Sequence, residues 1–171
     1  MSAVTSSRTS SSAFISDVYR TVSAAEQRSG MDGPTPAEHI DFQLEFDAQI
    51  KLIRLTANGE VSDQFLTQGI NALEKCRTQY GSCNCIVDYS GATQVTVTTP
   101  CLRQLAGTAP IFPMECLTVH VAASDVMYGL ARMFQTLSSE TRPNLRVVRT
   151  MNQALDLIGV KSPTFVPIDL T

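Results

Sequence analysis

The sequence lacks several features that would assign it to a large class of proteins. No apolar run reaches the ~18 to 20 residues that a transmembrane helix needs, and no apolar stretch of signal-peptide length stands near the N-terminus. Basic residues are not in excess, because 13 Lys and Arg stand against 16 Asp and Glu, for a net charge of −3. A surface of that charge does not attract nucleic acid or an anionic membrane. We therefore expect a soluble, cytoplasmic protein that binds neither.

The signatures of common catalytic sites are also missing. The chain has no Gly-x-Ser-x-Gly elbow, no His-Glu-x-x-His motif and no phosphate-binding Gly-x-x-x-x-Gly-Lys loop. Only two histidines are present as general bases, and His120 falls within a predicted strand, where a buried imidazole is common. We therefore predict that the protein is not an enzyme and uses no cofactor or metal. The alternative from another class is a hydrolase that uses Asp88 or a cysteine.

The five cysteines do not resemble a disulfide framework, because their number is odd and they fall inside predicted helices and strands. They are Cys76, Cys83, Cys85, Cys101 and Cys116. Cys83 and Cys85 are two residues apart on a predicted strand, so they share a face and are compatible with a metal ion. Zinc sites usually take their cysteines from Cys-x-x-Cys turns, however, and cysteine is among the most buried residue types. Packing in the core is the favoured interpretation.

Composition divides the chain into three segments. Residues 1–38 are rich in serine and poor in large apolar residues, which predicts a flexible N-terminal arm. Residues 39–160 carry the periodic apolar patterns of one folded domain, which is long enough to bury a core. Residues 161–171 contain two prolines and are predicted to form an extended C-terminal tail.

Apolar periodicity predicts the order β-β-α-β-α-β-α-β-α within the domain. Phe42, Leu44 and Phe46 alternate with polar residues, and a second apolar run follows at hairpin spacing. N-cap residues predict where the helices begin, at Ser62, Thr99, Ser124 and Thr150. The fold class is therefore α/β, with a mixed sheet in which an opening β-hairpin precedes alternating helices and parallel strands.

Several stretches of the domain resemble one family. They are the opening hairpin, the strand residues 86–90, the helix residues 125–135 and the closing residues 149–155. The most specific stretch is Tyr-Gly-Leu-Ala-Arg-Met-Phe-Gln at residues 128–135. Together they are similar to the SpoIIAA-like group of STAS proteins, over residues 39–160. The resemblance implies a single STAS-like domain with a regulatory or binding role in place of chemistry.

The founding members of the wider family are anti-anti-sigma factors, which are switched by phosphorylation of a serine in an Asp-Ser-Ser-Gly motif. At the corresponding place this chain has Thr96, Val97, Thr98, Thr99 and Pro100. Phosphorylation of Thr96, Thr98 or Thr99 is one interpretation, because a phosphate at a helix N-terminus meets free N–H groups and the positive end of the helix dipole. The alternative, which we favour, is that Thr99 is only an N-cap residue.

Ligands of parallel α/β sheets bind beyond the carboxyl ends of the strands, where the helix N-termini also gather. The strand that starts at Cys83 is predicted to end at Asp88, which places its last residues in that region. We therefore predict that this strand-end surface binds a protein partner or a small ligand. Its predicted residues are Asp88, Tyr89, Ser90, Thr98, Thr99, Ser124, Asp125, Tyr128 and Arg132. Arg132 is expected either to hold a carboxylate or phosphate or to pair with Asp125 or Asp88.

A further set of apolar residues fits two interpretations, packing in the core or lining the pocket of a lipid-like carrier of apolar ligands. They are Phe112, Met114, Met127, Met133 and Phe134. A cavity in the folded domain distinguishes the two, because a solid core leaves a ligand no space. An exposed apolar helix face would in addition favour a homodimer.

Overall fold

The computed structural model describes residues 42–169, so the predicted arm at residues 1–38 lies outside the described residues. The strands of the described part are β1 (Phe42–Asp47), β2 (Leu52–Val61), β3 (Asn84–Val95), β4 (Thr118–Val121), β5 (Leu145–Val148) and β6 (Val166–Pro167). Its helices are α1 (Asp63–Tyr80), α2 (Thr99–Ala106), α3 (Asp125–Leu137) and α4 (Met151–Ile158).

Within residues 42–169 the strands form one mixed sheet in the order β5-β4-β3-β2-β1-β6. Strands β2 to β5 are parallel, whereas β1 pairs antiparallel with both β2 and β6. The predicted α/β fold, with an opening hairpin followed by alternating helices and parallel strands, is confirmed. The helices α1, α2 and α3 connect β2 to β3, β3 to β4 and β4 to β5, and each of these strands lies next to the preceding one in the sheet. Because such connections are right-handed, all three helices lie on the same face of the sheet.

Each face of the sheet has its own core, because successive strand residues point to opposite sides. On the first face, Leu55 of β2 and Val87 of β3 are buried beneath α1, α2 and α3. On the second face, Leu52 and Ile86 pack with Ala154 of α4. The short apolar runs of the central strands therefore supply both cores at once.

Strand β3 continues beyond the point at which the sequence predicts its end. The prediction that it ends at Asp88 is wrong, because the strand runs on to Val95 while pairing with β2 through two register shifts. Gly91 lies beside the first of these irregularities, and a Cβ added there would be 2.6 Å from the carbonyl oxygen of Ala57. Strand β4 ends opposite Asp88, at Val121. Beyond Asp88, β3 therefore pairs only with β2 among the described strands.

The C-terminal segment returns to the sheet, whereas the sequence predicts only an extended tail. Val166 of β6 pairs with Phe46 of β1. The buried carboxylate of Asp47 accepts a hydrogen bond from the backbone N–H of Thr164, at 2.5 Å. Because β1 would otherwise be an open edge of the sheet, this segment covers part of that edge.

Candidate functional site

The start of α3 brings together part of the predicted strand-end surface. Ser124 is the N-cap of α3, and the exposed carboxylate of Asp125 forms an ion pair with Arg149 at 2.9 Å. The guanidinium carbon of Arg149 lies 3.8 Å from the centroid of the Tyr128 ring. Arg149 follows β5 directly, so the carboxyl end of that strand supplies the cation of this cluster. Arg149 is not among the site residues predicted from the sequence, although it belongs to the closing stretch that carries the family resemblance.

Arg132 lies away from that cluster. Its guanidinium is exposed and donates to Oε1 of Gln135 at 2.8 Å, and Gln135 donates in turn to the carbonyl of Leu145 at 2.7 Å. Because Leu145 begins β5, Arg132 lies toward the amino ends of the parallel strands. The expected pairing of Arg132 with Asp125 or Asp88 is therefore wrong.

The side chains of Asp88 and Tyr89 point to opposite sides of β3. The half-buried Asp88 accepts a hydrogen bond from the N–H of Ser90 at 2.9 Å. Tyr89 is only 6% exposed and belongs to the core of the first face. The prediction that Tyr89 lies on the strand-end surface is wrong, because the strand continues through this residue and directs its ring beneath the helices.

The threonines before α2 are held by carboxylates. Thr98 is the N-cap of α2, and its hydroxyl donates to Oδ2 of Asp63 at 2.6 Å while its N–H donates to Oδ1 at 2.7 Å. The hydroxyl of Thr96 donates to Glu60 at 2.5 Å. Thr99 is the first residue of α2, so the prediction that Thr99 is the N-cap is wrong by one residue.

A phosphate on Thr96 or Thr98 would lie beside the carboxylate of Glu60 or Asp63. Like charges repel at such distances, so a phosphate would break the hydrogen bond between the threonine and the carboxylate. Phosphorylation of Thr96, Thr98 or Thr99 stays a prediction, and its expected effect at the first two positions is disruptive.

The substitution Thr98→Ala is expected to lower the free energy of unfolding by about 1 to 2 kcal/mol, because it removes the N-cap of α2. It also removes the hydroxyl that donates to Asp63. The matched substitution Thr99→Ala is expected to change stability by less than about 0.5 kcal/mol, as for other exposed surface positions. Urea unfolding of both variants measures the difference, and equal losses would contradict the assignment of Thr98 as the cap.

A cavity of about 120 Å³ lies between the first face of the sheet and the helices α1, α2 and α3, partly open to solvent. Its apolar wall includes Leu55, Phe65, Leu73, Leu102, Ile111, Phe112, Met127 and Phe134. Three of the five apolar residues selected from the sequence are thus in this wall. The other two, Met114 and Met133, are 60% and 38% exposed. The core is therefore not solid, which favours the interpretation of these residues as a ligand pocket.

Polar side chains interrupt the apolar wall of the cavity. They are Tyr89, Thr118, His120, Arg142 and Asn144. The ring of His120 lies between two others, with its centroid 5.6 Å from that of Tyr89 and 6.0 Å from that of Phe134. Within residues 42–169 neither the ring nitrogens of His120 nor the hydroxyl of Tyr89 has a hydrogen-bond partner, and these atoms keep some accessible surface. These atoms are available to a ligand.

Burial determines the charge of these groups. It lowers the pKa of His120 to about 4, and the positive charge of Arg142 acts in the same direction. Burial likewise raises the pKa of Tyr89 well above its ordinary value, with a smaller contribution from Cys85. At neutral pH the cavity therefore presents a neutral imidazole and a neutral phenol.

Arg142 supplies the positive charge at the cavity. Its guanidinium donates to the carbonyl of Ala106 at 3.1 Å and to the hydroxyl of Thr108 at 2.9 Å, and it lies 5.4 Å from the centroid of Phe134. In the part of the chain that the structure describes, Arg142 has no carboxylate partner. Burial lowers its pKa, as expected for a cation that is removed from water without a counter-charge.

Arg142 and Asn144 are not among the residues predicted from the sequence, whereas His120 was considered as a buried imidazole. The spacing of Thr118 and His120 on one strand shows that their side chains share a face, and this signal was available. Arg142 and Asn144 lie in a loop around Pro143, where a polar residue is ordinarily solvated. Only the approach of this loop to α2 and α3 brings them to the cavity.

The cysteines do not have the properties of catalytic nucleophiles. Burial raises the pKa of Cys76 to about 11 and is the main reason why the pKa of Cys101 rises to about 12. It raises the pKa of Cys83, Cys85 and Cys116 as well. Since the thiolate is the reactive form, these shifts count against a cysteine hydrolase. Cys83 and Cys85 are both buried in the core of the first face.

The described residues contain neither a metal-binding cluster nor a membrane-spanning helix. Among residues 42–169, no three or more His, Cys, Asp or Glu side chains are grouped so that they could hold a metal ion. None of the helices in that range combines the length and apolar character that a membrane span requires.

The outer side of α3 carries an apolar stripe. Val126, Met133 and Leu137 are 70%, 38% and 44% exposed, and their spacing of seven and four residues aligns them along the helix. An exposed apolar helix face is the feature on which the prediction of a homodimer depends. The oligomeric state stays a prediction.

Comparison with known proteins concerns the fold alone. No family model matches the chain, and no curated protein matches it. Among solved structures, the chain is similar to an uncharacterized protein of the DUF3478 family with a SpoIIAA-like fold from Shewanella loihica PV-4. The TM-score is 0.46 at 13% sequence identity, and the match covers 75% of this chain and 99% of that one.

Proposed function

We propose that this protein is a non-enzymatic binding module that holds a small apolar molecule between the sheet and the helices α1, α2 and α3. The observation that carries the proposal is the cavity of about 120 Å³ inside the core of the first face. Protein interiors are close-packed, and voids larger than a water molecule are few. An apolar cavity of about 150 Å³ binds benzene in another protein, so the space here suits a ligand body of about that size.

Helix α3 connects this cavity with the predicted strand-end surface. Met127, Ala131 and Phe134 line the cavity from one side of the helix. Asp125 and Tyr128, which contact Arg149, lie at the start of the same helix. Regulation of a protein partner, as the family resemblance implies, is compatible with this arrangement, because a ligand that displaces α3 also displaces that surface. Partner binding there stays a prediction.

Titration with the neutral probes hexan-1-ol and benzyl alcohol, followed by ¹H–¹⁵N NMR, tests the proposal. Saturable shifts are expected for the amides of cavity residues such as Gly69, Ala131 and Leu145. The amide of Ala154, which packs on the second face, is expected to shift little. Shifts that do not saturate, or that spread evenly over both faces, would contradict a defined cavity site.

A pair of matched substitutions narrows the test. A Cβ added at Gly69 would contact Cδ1 of Leu55 at 3.5 Å, inside the cavity, whereas a Cβ at Gly129 would meet nothing within 4 Å. Both glycines are in helices, so alanine is expected to stabilise each by up to about 1 kcal/mol. Gly69→Ala is expected to weaken probe binding at unchanged or higher stability, while Gly129→Ala leaves binding unchanged. Equal affinities for the two variants would count against the cavity as the site.

A further inference from the structure

We infer that the ligand of this cavity is a small monocarboxylic acid, with an alkyl or aromatic body in the apolar part and its carboxylate at the polar end formed by Arg142, His120 and Tyr89. The inference rests on the proposed function and specifies the chemical class of the ligand. It depends on three features of the described residues: the charge of the cavity, its hydrogen-bonding groups and its shape.

The charge of the cavity is positive and uncompensated. Arg142 donates from its two terminal nitrogens to the carbonyls of Ala106 and Ala109 and to the hydroxyls of Thr108 and Thr141, all of which are neutral. Its Nε–H has no partner within residues 42–169. A partly buried cation with only neutral partners is costly, and an anion placed beside it offsets that cost.

The residues described as lining the cavity include no Asp or Glu. An amine would therefore meet no counter-charge there and would be repelled by Arg142. A carboxylate accepts hydrogen bonds and donates none at neutral pH, so it matches a wall that offers donors. The hydroxyls of Tyr89 and Thr118 are donors, and the neutral imidazole of His120 supplies one N–H.

The shape of the cavity limits the apolar body of the ligand. The cavity volume of about 120 Å³ is somewhat smaller than the cavity of about 150 Å³ that binds benzene in another protein. The rings of Phe65, Phe112 and Phe134 are in the wall, and aromatic rings pack well against one another edge to face. A body of about six carbon atoms, either a ring or a short chain, follows from this size.

The test compares acids, alcohols and amines that have the same body. Hexanoate, hexan-1-ol and hexylamine form one series, and benzoate, benzyl alcohol and benzylamine form the other. Affinities of the full-length chain are measured by calorimetry or NMR titration at neutral pH and constant ionic strength. We expect each acid to bind about tenfold more tightly than its alcohol, because its hydrogen bonds are charge-assisted, and each amine to bind most weakly.

Substitutions locate the source of the preference. Arg142→Gln removes the charge but keeps an amide donor for the loop carbonyls, so the acid should lose its advantage while alcohol binding persists. Arg142→Lys keeps the charge and is expected to retain part of the preference. Arg103→Gln is the control, because Arg103 is exposed on α2 and does not line the cavity. The acid-to-alcohol ratio should not change in that variant.

The outcomes separate this inference from the proposed function. Equal binding of acid and alcohol by the unsubstituted protein, or tighter binding of the amine, overturns the carboxylate assignment and leaves apolar binding standing. An unchanged ratio in a folded Arg142→Gln variant overturns the role of Arg142. If neither acid nor alcohol binds, the proposed function fails and this inference fails with it. If Arg142→Gln does not fold, the ratio of acid to alcohol affinity in the unsubstituted protein still tests the carboxylate assignment.

Discussion

Acidification from pH 6.5 to pH 4 is expected to remove about 3 kcal/mol of stability through His120 alone. The pKa of this imidazole is about 4 in the folded protein, against an ordinary value of 6.5. Between these values the unfolded chain binds a proton that the folded chain does not. The contribution of His120 is therefore fully retained above pH 6.5 and is lost as the pH falls toward 4.

The physical reason lies in the surroundings of the ring. A charged imidazole would be held between Tyr89 and Phe134, without a carboxylate among the described residues and with the guanidinium of Arg142 nearby. Neither the apolar wall nor a second cation stabilises that charge. Protonation therefore favours the unfolded chain.

Urea unfolding across this pH range, on the unsubstituted protein and on His120→Gln, measures the effect. The variant cannot titrate at this position. On acidification its free energy of unfolding should therefore fall by about 3 kcal/mol less than that of the unsubstituted protein. The same pH dependence in His120→Gln and in the unsubstituted protein would show that His120 is not the group responsible.

The second large effect is expected at the irregularity of β3. Gly91→Ala should lower the free energy of unfolding by about 3 kcal/mol, because the added methyl group overpacks a site that has no room for it. The new Cβ would be 2.6 Å from the carbonyl oxygen of Ala57 and 2.6 Å from Oδ1 of Asn58. Ala57 is 0% exposed, so its backbone cannot move aside without disturbing the core of the first face.

Gly129→Ala is the matched control for this prediction. The same methyl group would meet nothing within 4 Å there, and the position is inside α3. Alanine is expected to raise stability by about 0.5 to 1 kcal/mol at such a site. Thermal or urea unfolding of the two variants should thus give effects of opposite sign. If alanine had the same effect on stability at both glycines, β3 and β2 would not approach each other as closely at Gly91 as the structure shows.

Helix starts show how far local sequence is sufficient. Ser62, Ser124 and Thr150 are N-caps as the sequence predicts, and Thr150 forms a capping box with Gln153. These contacts span three residues, so the sequence contains both partners side by side. At α2 the choice between Thr98 and Thr99 depends on Asp63, which is 35 residues away. A local pattern does not contain that partner.

Strand ends show the opposite case. The apolar alternation that predicts β3 stops near Asp88, yet the strand continues to Val95 because β2 remains beside it. The C-terminal segment forms β6 because Asp47 accepts a hydrogen bond from Thr164 and Phe46 pairs with Val166. The length of a strand depends on which distant segment pairs with its backbone, and the periodicity of its side chains does not predict that pairing.

The α/β class, the order of the elements up to α4 and most helix starts follow from the amino-acid sequence, because periodicity and capping depend on residues that are close together in the chain. The cavity in the core of the first face is visible only in the folded domain, where Phe112, Met127 and Phe134 line it and Met114 and Met133 do not. The folded domain also brings Arg142 to this cavity. The distance between a sheet and its helices is the sum of many remote packing contacts, so the space left between them cannot be read from any single stretch of the chain.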